Sequence, residues 1–269
     1  MNHLLRTIAP ISDTGWQELD GEAKERLTAA LAARKLVDFE GPRGWKHSAS
    51  RLGRTDELPG SPVDGVTAAQ RRVLPLVELR RDFAIDRAEL RAADRGAPDA
   101  DLEPLDDAAH QIARAENVAV FHGFPDAGIV GIAEASIHEP IPLGEDADDY
   151  PSQVAKAVEV IKRTGVGGPY GVAFGPGCYT SVIEATEHGG YLVFDHIAKI
   201  LGGPIVWAPG VEGAVVLSLR GGDFLFESGQ DLSIGYDSHD DQAVRLYLEE
   251  SFSFRVATAE AAVALTVQE

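Results

Sequence analysis

Apolar and polar residues alternate along the segment from Gly221 to Val256, and this alternation predicts a run of β-strands. A period of two gives each strand one face to bury and one face that meets solvent or a neighbour. Gly222, Gly229 and the acidic run 237–241 interrupt the alternation and predict turns. The alternating apolar positions are Phe224, Phe226, Leu232, Ile234, Tyr236, Val244, Leu246, Leu248, Phe252, Phe254 and Val256. The segment therefore indicates a sheet built for packing.

A helical period replaces this alternation near the N terminus. Apolar residues from Trp16 to Leu31 recur at steps of three and four, which predicts an amphipathic helix. We expect the helix to begin at Thr14, in a sequence that is similar to a capping box. Residues 35–40 then predict a strand, which the Gly-Pro turn at 41–42 closes.

The segment 48–72 is polar and rich in glycine and proline, and it has no core-forming pattern. At about 25 residues it is longer than an ordinary connection within a compact domain. It predicts a functional projection or a hairpin arm, and in a monomeric enzyme it would be a lid.

Strands and helices alternate through the rest of the chain. Seven arginines between Arg71 and Arg95 are interleaved with acidic residues, so they indicate ion pairs rather than a phosphate site. His110 and His122 are expected to be structural, with His122 capping carbonyl groups at a helix end. The predicted elements are a strand over 74–85, a helix beginning at Asp86, a long helix after Pro104, a helix over 151–164, a strand over 170–174, a helix around Tyr179, and strands over 205–207 and 214–219.

Composition narrows the classes of function. Among 269 residues, 43 are acidic and 24 are basic, and the resulting net charge of −19 repels phosphate backbones, so we expect no nucleic-acid partner. No apolar run approaches the roughly 20 residues of a membrane span, and no signal peptide is evident. The single cysteine, Cys178, excludes an internal disulfide framework and favours a reducing, cytoplasmic setting.

No catalytic motif is present in the sequence, which lacks a nucleophile elbow, a phosphate-binding loop and a paired-histidine metal helix. The glycines between Gly165 and Gly171 follow a predicted helix and precede a strand, which is the wrong order for a dinucleotide loop. Cys178 is expected to be a small buried hydrophobe. The run 237–241 is expected to be a solvated hairpin turn, although it could bind a divalent cation weakly. We therefore predict no catalytic residue and no metal ligand.

Several runs of residues resemble the family 1 encapsulins, the linocin- and bacteriocin-like shell proteins related to tailed-phage major capsid proteins. They are Leu-x-Arg-x-x-Ala-Pro at 4–10, Leu-Pro-Leu-Val-Glu-Leu-Arg at 74–80, Arg-Gly-Gly-Asp at 220–223, Gly-Gln-Asp-Leu-Ser-Ile-Gly-Tyr at 229–236 and Glu-Ser-Phe-Ser-Phe at 250–254. The resemblance implies an α+β, tailed-bacteriophage major-capsid-like fold. It divides the chain into an N-terminal helix and first strand packing on the peripheral domain (1–47), an extended loop (48–73), a peripheral domain with a spine helix (74–132), an axial domain (133–220) and a return of the peripheral sheet (221–269).

The same resemblance implies a cytoplasmic nanocompartment shell, not an enzyme, that self-assembles into a hollow icosahedral cage of about sixty copies or a multiple. Cargo enzymes, typically a dye-decolourising peroxidase or a ferritin-like iron-storage protein, are loaded through a C-terminal targeting peptide. The implied peptide-groove residues are Leu5, Ile8, Ala9, Arg34, Asp38, Asp231, Leu232 and Ile234. The implied fivefold-pore residues are Glu187, His188, Gly189, Gly190 and Tyr191. Apolar side chains flanked by Arg34 and carboxylates suit an apolar peptide with charged ends.

Some relatives bind a flavin against an aromatic side chain in the segment aligned with Asp86–Glu89. That segment has no aromatic residue here, so we expect no flavin and no other cofactor. The expected partners are copies of this chain and the cargo enzyme, with neither nucleic acid nor membrane. Two other classes stay open, a phage-derived viral capsid protein and a soluble hydrolase or peptidase, although the net charge argues against a lumen that holds DNA.

Overall fold

The computed structural model describes residues 3–144, 146–186 and 190–267, which form two five-stranded sheets, a separate hairpin and seven α-helices. The helices are α1 (Asp13–Ala30), α2 (Arg87–Asp94), α3 (Glu103–Phe121), α4 (Ile132–Ala135), α5 (Tyr150–Arg163), α6 (Pro176–Glu184) and α7 (Val193–Leu201). The strands are β1 (Asp38–Glu40), β2 (Ala49–Glu57), β3 (Ala69–Pro75), β4 (Val77–Asp86), β5 (Ile141–Leu143), β6 (Tyr170–Phe174), β7 (Ile205–Trp207), β8 (Ala214–Ser218), β9 (Phe224–Ser228), β10 (Ser233–His239), β11 (Ala243–Val256) and β12 (Ala262–Val267).

The first sheet is built around β11, as the alternation after Gly221 predicts. This strand pairs antiparallel with β10, β4 and β9, and β1 adds to β9 in parallel. Gly221 and Gly222 form the turn before β9, and both have positive φ angles, of 87° and 83°, that favour glycine. The apolar residues of β11 are buried from Val244 to Phe254. Val244, Leu246 and Leu248 belong to one core, shared with α1 and α3, and Phe252 and Phe254 belong to a second core, shared with the second sheet.

The second sheet has the order β5-β12-β8-β6-β7 and packs against α5, α6 and α7. The strand β12 lies in this sheet, antiparallel to β8, although the sequence assigned the whole segment 221–269 to the first sheet. The assignment is wrong for β12 because its apolar residues complete the buried face between β5 and β8. Helix α7 was not predicted at all from the sequence.

The polar segment after residue 48 forms a hairpin arm, in which β2 pairs antiparallel with β3. Nearly all of its residues beyond Arg51 are exposed, so the arm has no hydrophobic core of its own. Four apolar side chains of the arm are more than two-fifths exposed, namely Leu58, Val63, Val66 and Val73. Of the two alternatives for this segment, the structure shows the hairpin arm.

Two local predictions about helix ends are wrong. The helix α1 begins one residue before Thr14, and its N-cap is Ser12, whose Oγ accepts a hydrogen bond from the Gly15 backbone N at 3.0 Å. His122 does not cap carbonyl groups; its Nε2 instead accepts a hydrogen bond from the Glu212 backbone N at 3.1 Å. By contrast, Asp86 does cap α2, because its carboxylate accepts from the Ala88 N at 2.7 Å.

Candidate functional site

A groove of about 350 Å³ lies between α1 and the edge of the first sheet at β10. The helix contributes one apolar wall, because α1 turns Ala23, Leu27 and Leu31 toward the sheet at helical spacing. The opposite wall is formed by Leu232, Ile234 and Leu248. This second set lies on one face of the sheet because Ile234 pairs with Leu248 across the ladder.

Arg34 and Asp231 form the charged end of the groove. A short 3₁₀ turn at Ala33–Lys35 is separated from the end of α1 by two residues and places the Arg34 side chain between the helix and the sheet. Its Nη1 donates to Asp231 Oδ1 at 2.6 Å, its Nε donates to Glu116 Oε2 at 2.7 Å, and its Nη2 donates to Glu250 Oε2 at 2.7 Å. The guanidinium also lies over the ring of Phe39, with its carbon 4.9 Å from the ring centroid.

The electrostatics of this cluster are set by burial. Burial alone would lower the pKa of Arg34, but the carboxylates of Glu116 and Glu250 outweigh it and hold that pKa above its ordinary value. Burial raises the pKa of Glu116, and burial followed by repulsion from Glu116 raises the pKa of Glu250 well above its ordinary value. Arg34 therefore stays charged, and its donors are committed to groups of this chain.

Asn117 on α3 holds the 3₁₀ turn in place. Its Oδ1 accepts from the backbone N of Ala32 at 3.0 Å and of Ala33 at 3.1 Å, and its Nδ2 donates to the carbonyl oxygens of Ala30 at 2.9 Å and Pro209 at 3.1 Å. The amide is fully buried and all four of its hydrogen-bonding positions are used. It thereby fixes the direction in which the chain leaves α1.

Of the eight residues assigned to the groove from the sequence, the structure brings four together. Arg34, Asp231, Leu232 and Ile234 line it, and Ile234 is 2% exposed, so it belongs to the floor. Asp38 lies elsewhere. Its carboxylate accepts a hydrogen bond from the Gly222 backbone N at 2.7 Å, at the turn that precedes β9.

The other three, Leu5, Ile8 and Ala9, lie on the N-terminal segment. Leu5 and Ala9 pack against the same core cluster as α1, whereas Ile8 is 53% exposed, and none of the three lines the groove. The segment is attached to the sheet because the Tyr236 N donates to the Leu4 carbonyl oxygen at 2.8 Å. Its contribution to the groove is Arg6, which pairs with Asp20 at 2.6 Å on the rim.

The residues that the sequence assigned to a pore fall partly outside the described part of the chain. Glu187, His188 and Gly189 are among the residues that the structure does not describe. Tyr191 is 40% exposed, and its hydroxyl accepts a hydrogen bond from Lys199 Nζ; Gly190 is exposed beside it. On the flanks of this segment, Thr186 and Leu192 form a β-bridge.

Three residues of the charged cluster, Glu116, Asn117 and Glu250, were not found from the sequence. The sequence does mark Glu250, because it lies in the alternating series of positions that are otherwise apolar in β11 and yet carries a charge. Glu116 and Asn117 follow the apolar stripe of α3 at helical spacing, but only the tertiary contact with Arg34 and the α1 terminus explains them. Polar residues on an otherwise apolar face are the signal that points to such a cluster.

A protein-family model described as "Encapsulating protein for peroxidase" matches residues 1–253. A type 1 encapsulin shell protein of Rhodospirillum rubrum is 48% identical over 270 residues, which cover 98% of this chain and 96% of that relative. The chain belongs to the encapsulin family of shell proteins. The resemblance stated from the sequence is thus confirmed.

Solved structures bear on the fold of this encapsulin. The virus-like particle from Pyrococcus furiosus is similar, with a TM-score of 0.62 at 15% identity over 92% of this chain and 98% of that one. The capsid of Myoviridae Phage XM1 gives a TM-score of 0.53 at 10% identity over 89% of this chain and 92% of that one. At such identities the likeness concerns the fold alone, and it confirms the predicted α+β capsid-like fold.

The described residues hold neither a metal-binding cluster nor a membrane-spanning helix. Within 3–144, 146–186 and 190–267, no three His, Cys, Asp or Glu side chains lie together as a metal site would require. Cys178 is buried, as predicted, and is 3.9 Å from the hydroxyl of Tyr150. Over the same ranges, we found no helix with the length and apolar character needed to span a membrane.

Proposed function

We propose that this encapsulin shell protein assembles into a closed, cytoplasmic icosahedral cage of about sixty copies or a multiple, and that its role is structural rather than catalytic. The exposed apolar side chains of the hairpin arm support assembly, since a neighbouring copy would bury them. Family membership supports the structural role, because the relatives are named as shell proteins.

We propose further that the groove between α1 and β10 binds a C-terminal targeting peptide of the cargo enzyme. The observation that carries this proposal is the groove itself, with apolar walls along its length and a charged end at Arg34 and Asp231. Such a surface suits an extended peptide whose apolar side chains enter the groove and whose polar groups remain at its end.

The cargo class is a separate proposal. The matching family model is described as an encapsulating protein for peroxidase, and this description favours a dye-decolourising peroxidase over a ferritin-like iron-storage protein. Mass spectrometry of natively purified cages would identify the cargo directly. Finding only nucleic acid and packaging proteins in the cages would instead favour the viral-capsid alternative.

The groove is tested by replacing Leu232 with aspartate. Leu232 is half-buried in the groove wall, whereas Ile234 is buried in the core, so Leu232→Asp disturbs the groove with less risk to folding. A charge in this apolar wall would be buried by the bound peptide, so it should lower the cargo that co-purifies with cages by about tenfold or more. The measurement is the ratio of cargo to shell protein in purified cages.

The matched control is Leu232→Met, which keeps an apolar side chain of similar volume and should leave loading within about twofold of the parent. Electron microscopy checks that both variants form cages. Normal loading of Leu232→Asp cages would place the cargo site elsewhere.

We also propose that residues 187–191 surround the opening at the fivefold axis. The exposure of Tyr191 and Leu192 supports this proposal, because both side chains are accessible at the end of the second sheet's helices. A ring of glutamate and histidine side chains would favour cations over anions.

A further inference from the structure

Two buried carboxyl groups lie directly beneath the groove. Glu116 comes from α3 and Glu250 from β11, and they are 0% and 1% exposed. Each gives one oxygen to Arg34, whereas the other oxygen of each, Oε1, is buried and has no hydrogen-bond partner within the described residues. A buried carboxylate oxygen without a donor is costly, so this arrangement requires an explanation.

The balance of charge around Arg34 explains how these two buried oxygens are tolerated. A single guanidinium carries one positive charge and faces three carboxyl groups, of which only Asp231, with its side chain 42% exposed, reaches solvent. The Oε2 atoms of Glu116 and Glu250 both lie 2.7 Å from Arg34 Nη2, so the two carboxyl groups meet at the same nitrogen. When two carboxylates occupy one dry site, repulsion between them favours the uptake of a proton by one of the two.

Within the described residues, Arg34 is the one cationic side chain paired with Glu116 or Glu250. The 3₁₀ turn after α1 presents Arg34, the loop before β10 presents Asp231, and β1 and β9 present the rings of Phe39 and Phe226. Glu249, the neighbour of Glu250 on β11, points the other way and binds His3 at 2.6 Å. Lys24 lines the groove on α1 but makes no ion pair with either glutamate.

We propose that Glu116 and Glu250 hold one proton between them, and that this proton keeps Arg34 bound to Asp231 at the end of the groove. Both glutamates are positioning residues, because they reach the groove only through Arg34. When the proton is lost, a second buried negative charge competes with Asp231 for the guanidinium, and the groove end loosens. The consequence for the peptide rests on the proposed function of the groove, whereas the shared proton does not.

The sign of the pH effect follows from linkage. An acid whose pKa is raised by folding stabilises the fold below its unfolded value, about 4.3 for glutamate. Between the unfolded pKa and the raised folded pKa, the folded state holds more protons than the unfolded chain. Each rise in pH within this range therefore removes part of that stability, and none of the contribution remains above the raised pKa. Stability should therefore fall as the pH rises above about 4.3.

The first test compares melting temperatures of cages across this pH range. Glu250→Gln keeps the acceptor for Arg34 and supplies a permanent donor to Glu116, so it should match the parent at about pH 4.5 and melt several degrees higher at about pH 8. Glu159→Gln, which removes the same charge from an exposed ion pair on α5, is the control and should follow the parent curve. If the melting temperatures of Glu250→Gln and the parent changed in parallel with pH, the proposal of a shared proton would be overturned.

The double variant Glu116→Gln/Glu250→Gln sharpens the test. It leaves the buried guanidinium without a buried carboxylate, so it should melt below the parent at every pH, whereas the single variant melts above it at high pH. If the effects of the two substitutions on the melting temperature were additive, the double variant would melt higher than either single variant. That result would contradict the proposal. Infrared spectra should show a protonated-carboxyl carbonyl band near neutral pH that Glu250→Gln removes.

The second test measures capture of a fluorescent protein fused to the C-terminal segment of the cargo enzyme that mass spectrometry identifies in natively purified cages. Cages reassembled at about pH 6 and about pH 9 should capture less of it at the higher pH, and Glu250→Gln should abolish the difference. Equal capture by the parent at both pH values would overturn the coupling. Absence of capture at both pH values would count against the peptide groove. The melting curves would still test whether Glu116 and Glu250 share a proton.

Discussion

At the scale of single residues, Asn117 and Arg34 decide how the groove is shaped. Asn117 ties the end of α1 to the loop between β7 and β8 through four backbone groups, and Arg34 then enters the space between the helix and the first sheet. Because three carboxyl groups already bind Arg34, we expect it to support the groove rather than to pair with a carboxylate of the peptide. Asp231, which is partly exposed, is the more accessible charge.

Asn117→Ala should destabilise the chain by about 3–5 kcal/mol, because it leaves several buried backbone groups without partners. This loss corresponds to a fall in melting temperature on the order of 10 °C. Differential scanning calorimetry of purified cages provides the measurement. Gln111→Ala, an exposed amide on the same helix, should change the melting temperature by no more than a degree or two. Equal losses in the two variants would contradict the role given to Asn117.

At the scale of elements, the hairpin arm differs from the helices α1 and α3 and from both five-stranded sheets. The helices α1 and α3 and both sheets contribute to buried clusters, whereas the arm beyond Arg51 is exposed on both faces. An isolated two-stranded hairpin is marginal in water. We therefore expect the arm to gain its stability from a neighbouring copy.

Replacing residues 54–70 by a short glycine-serine turn should prevent the formation of cages without unfolding the chain. The two cores lose no buried apolar side chain in this deletion, so the circular dichroism spectrum should keep its helical signal. The variant should sediment as a small species. Asp64→Ala, an exposed residue of the same segment, is the control and should still assemble. Full-sized cages of the deletion variant would show that the arm is dispensable.

At the scale of the whole molecule, the net charge of −19 is repeated in every copy, so like charges oppose the approach of subunits. Apolar burial and local ion pairs at the contacts must outweigh this repulsion for a cage to form. Salt screens charges beyond about 8 Å at physiological ionic strength, while it affects buried apolar contacts far less.

The purified chain should therefore sediment as closed cages, and the assembled fraction should increase when salt is raised from about 0.01 to about 0.15 M. Analytical ultracentrifugation after dissociation and dilution would measure the assembled fraction at each salt concentration. Potassium chloride and potassium glutamate should have similar effects at equal ionic strength if screening is the cause. A stable, compact monomer under all these conditions would contradict the proposed assembly.

The sequence alone determined most of the elements, because their signals are local. Alternation predicted the strands of the first sheet, three- and four-residue spacing predicted α1, and the absence of any core pattern predicted the arm. Ordered runs such as 74–80 and 229–236 also identified the family, which the comparisons confirmed.

Only the tertiary structure decided which elements meet. In the structure, β12 lies in the second sheet and Asp38 lies outside the groove. Arg34 binds Glu116 and Glu250, which are 82 and 216 residues away from it in the sequence. Periodicity shows which face of an element is buried but carries no information about its partner. A buried ion cluster depends on partners from distant segments, so it emerges only once the helix and the sheet are packed together.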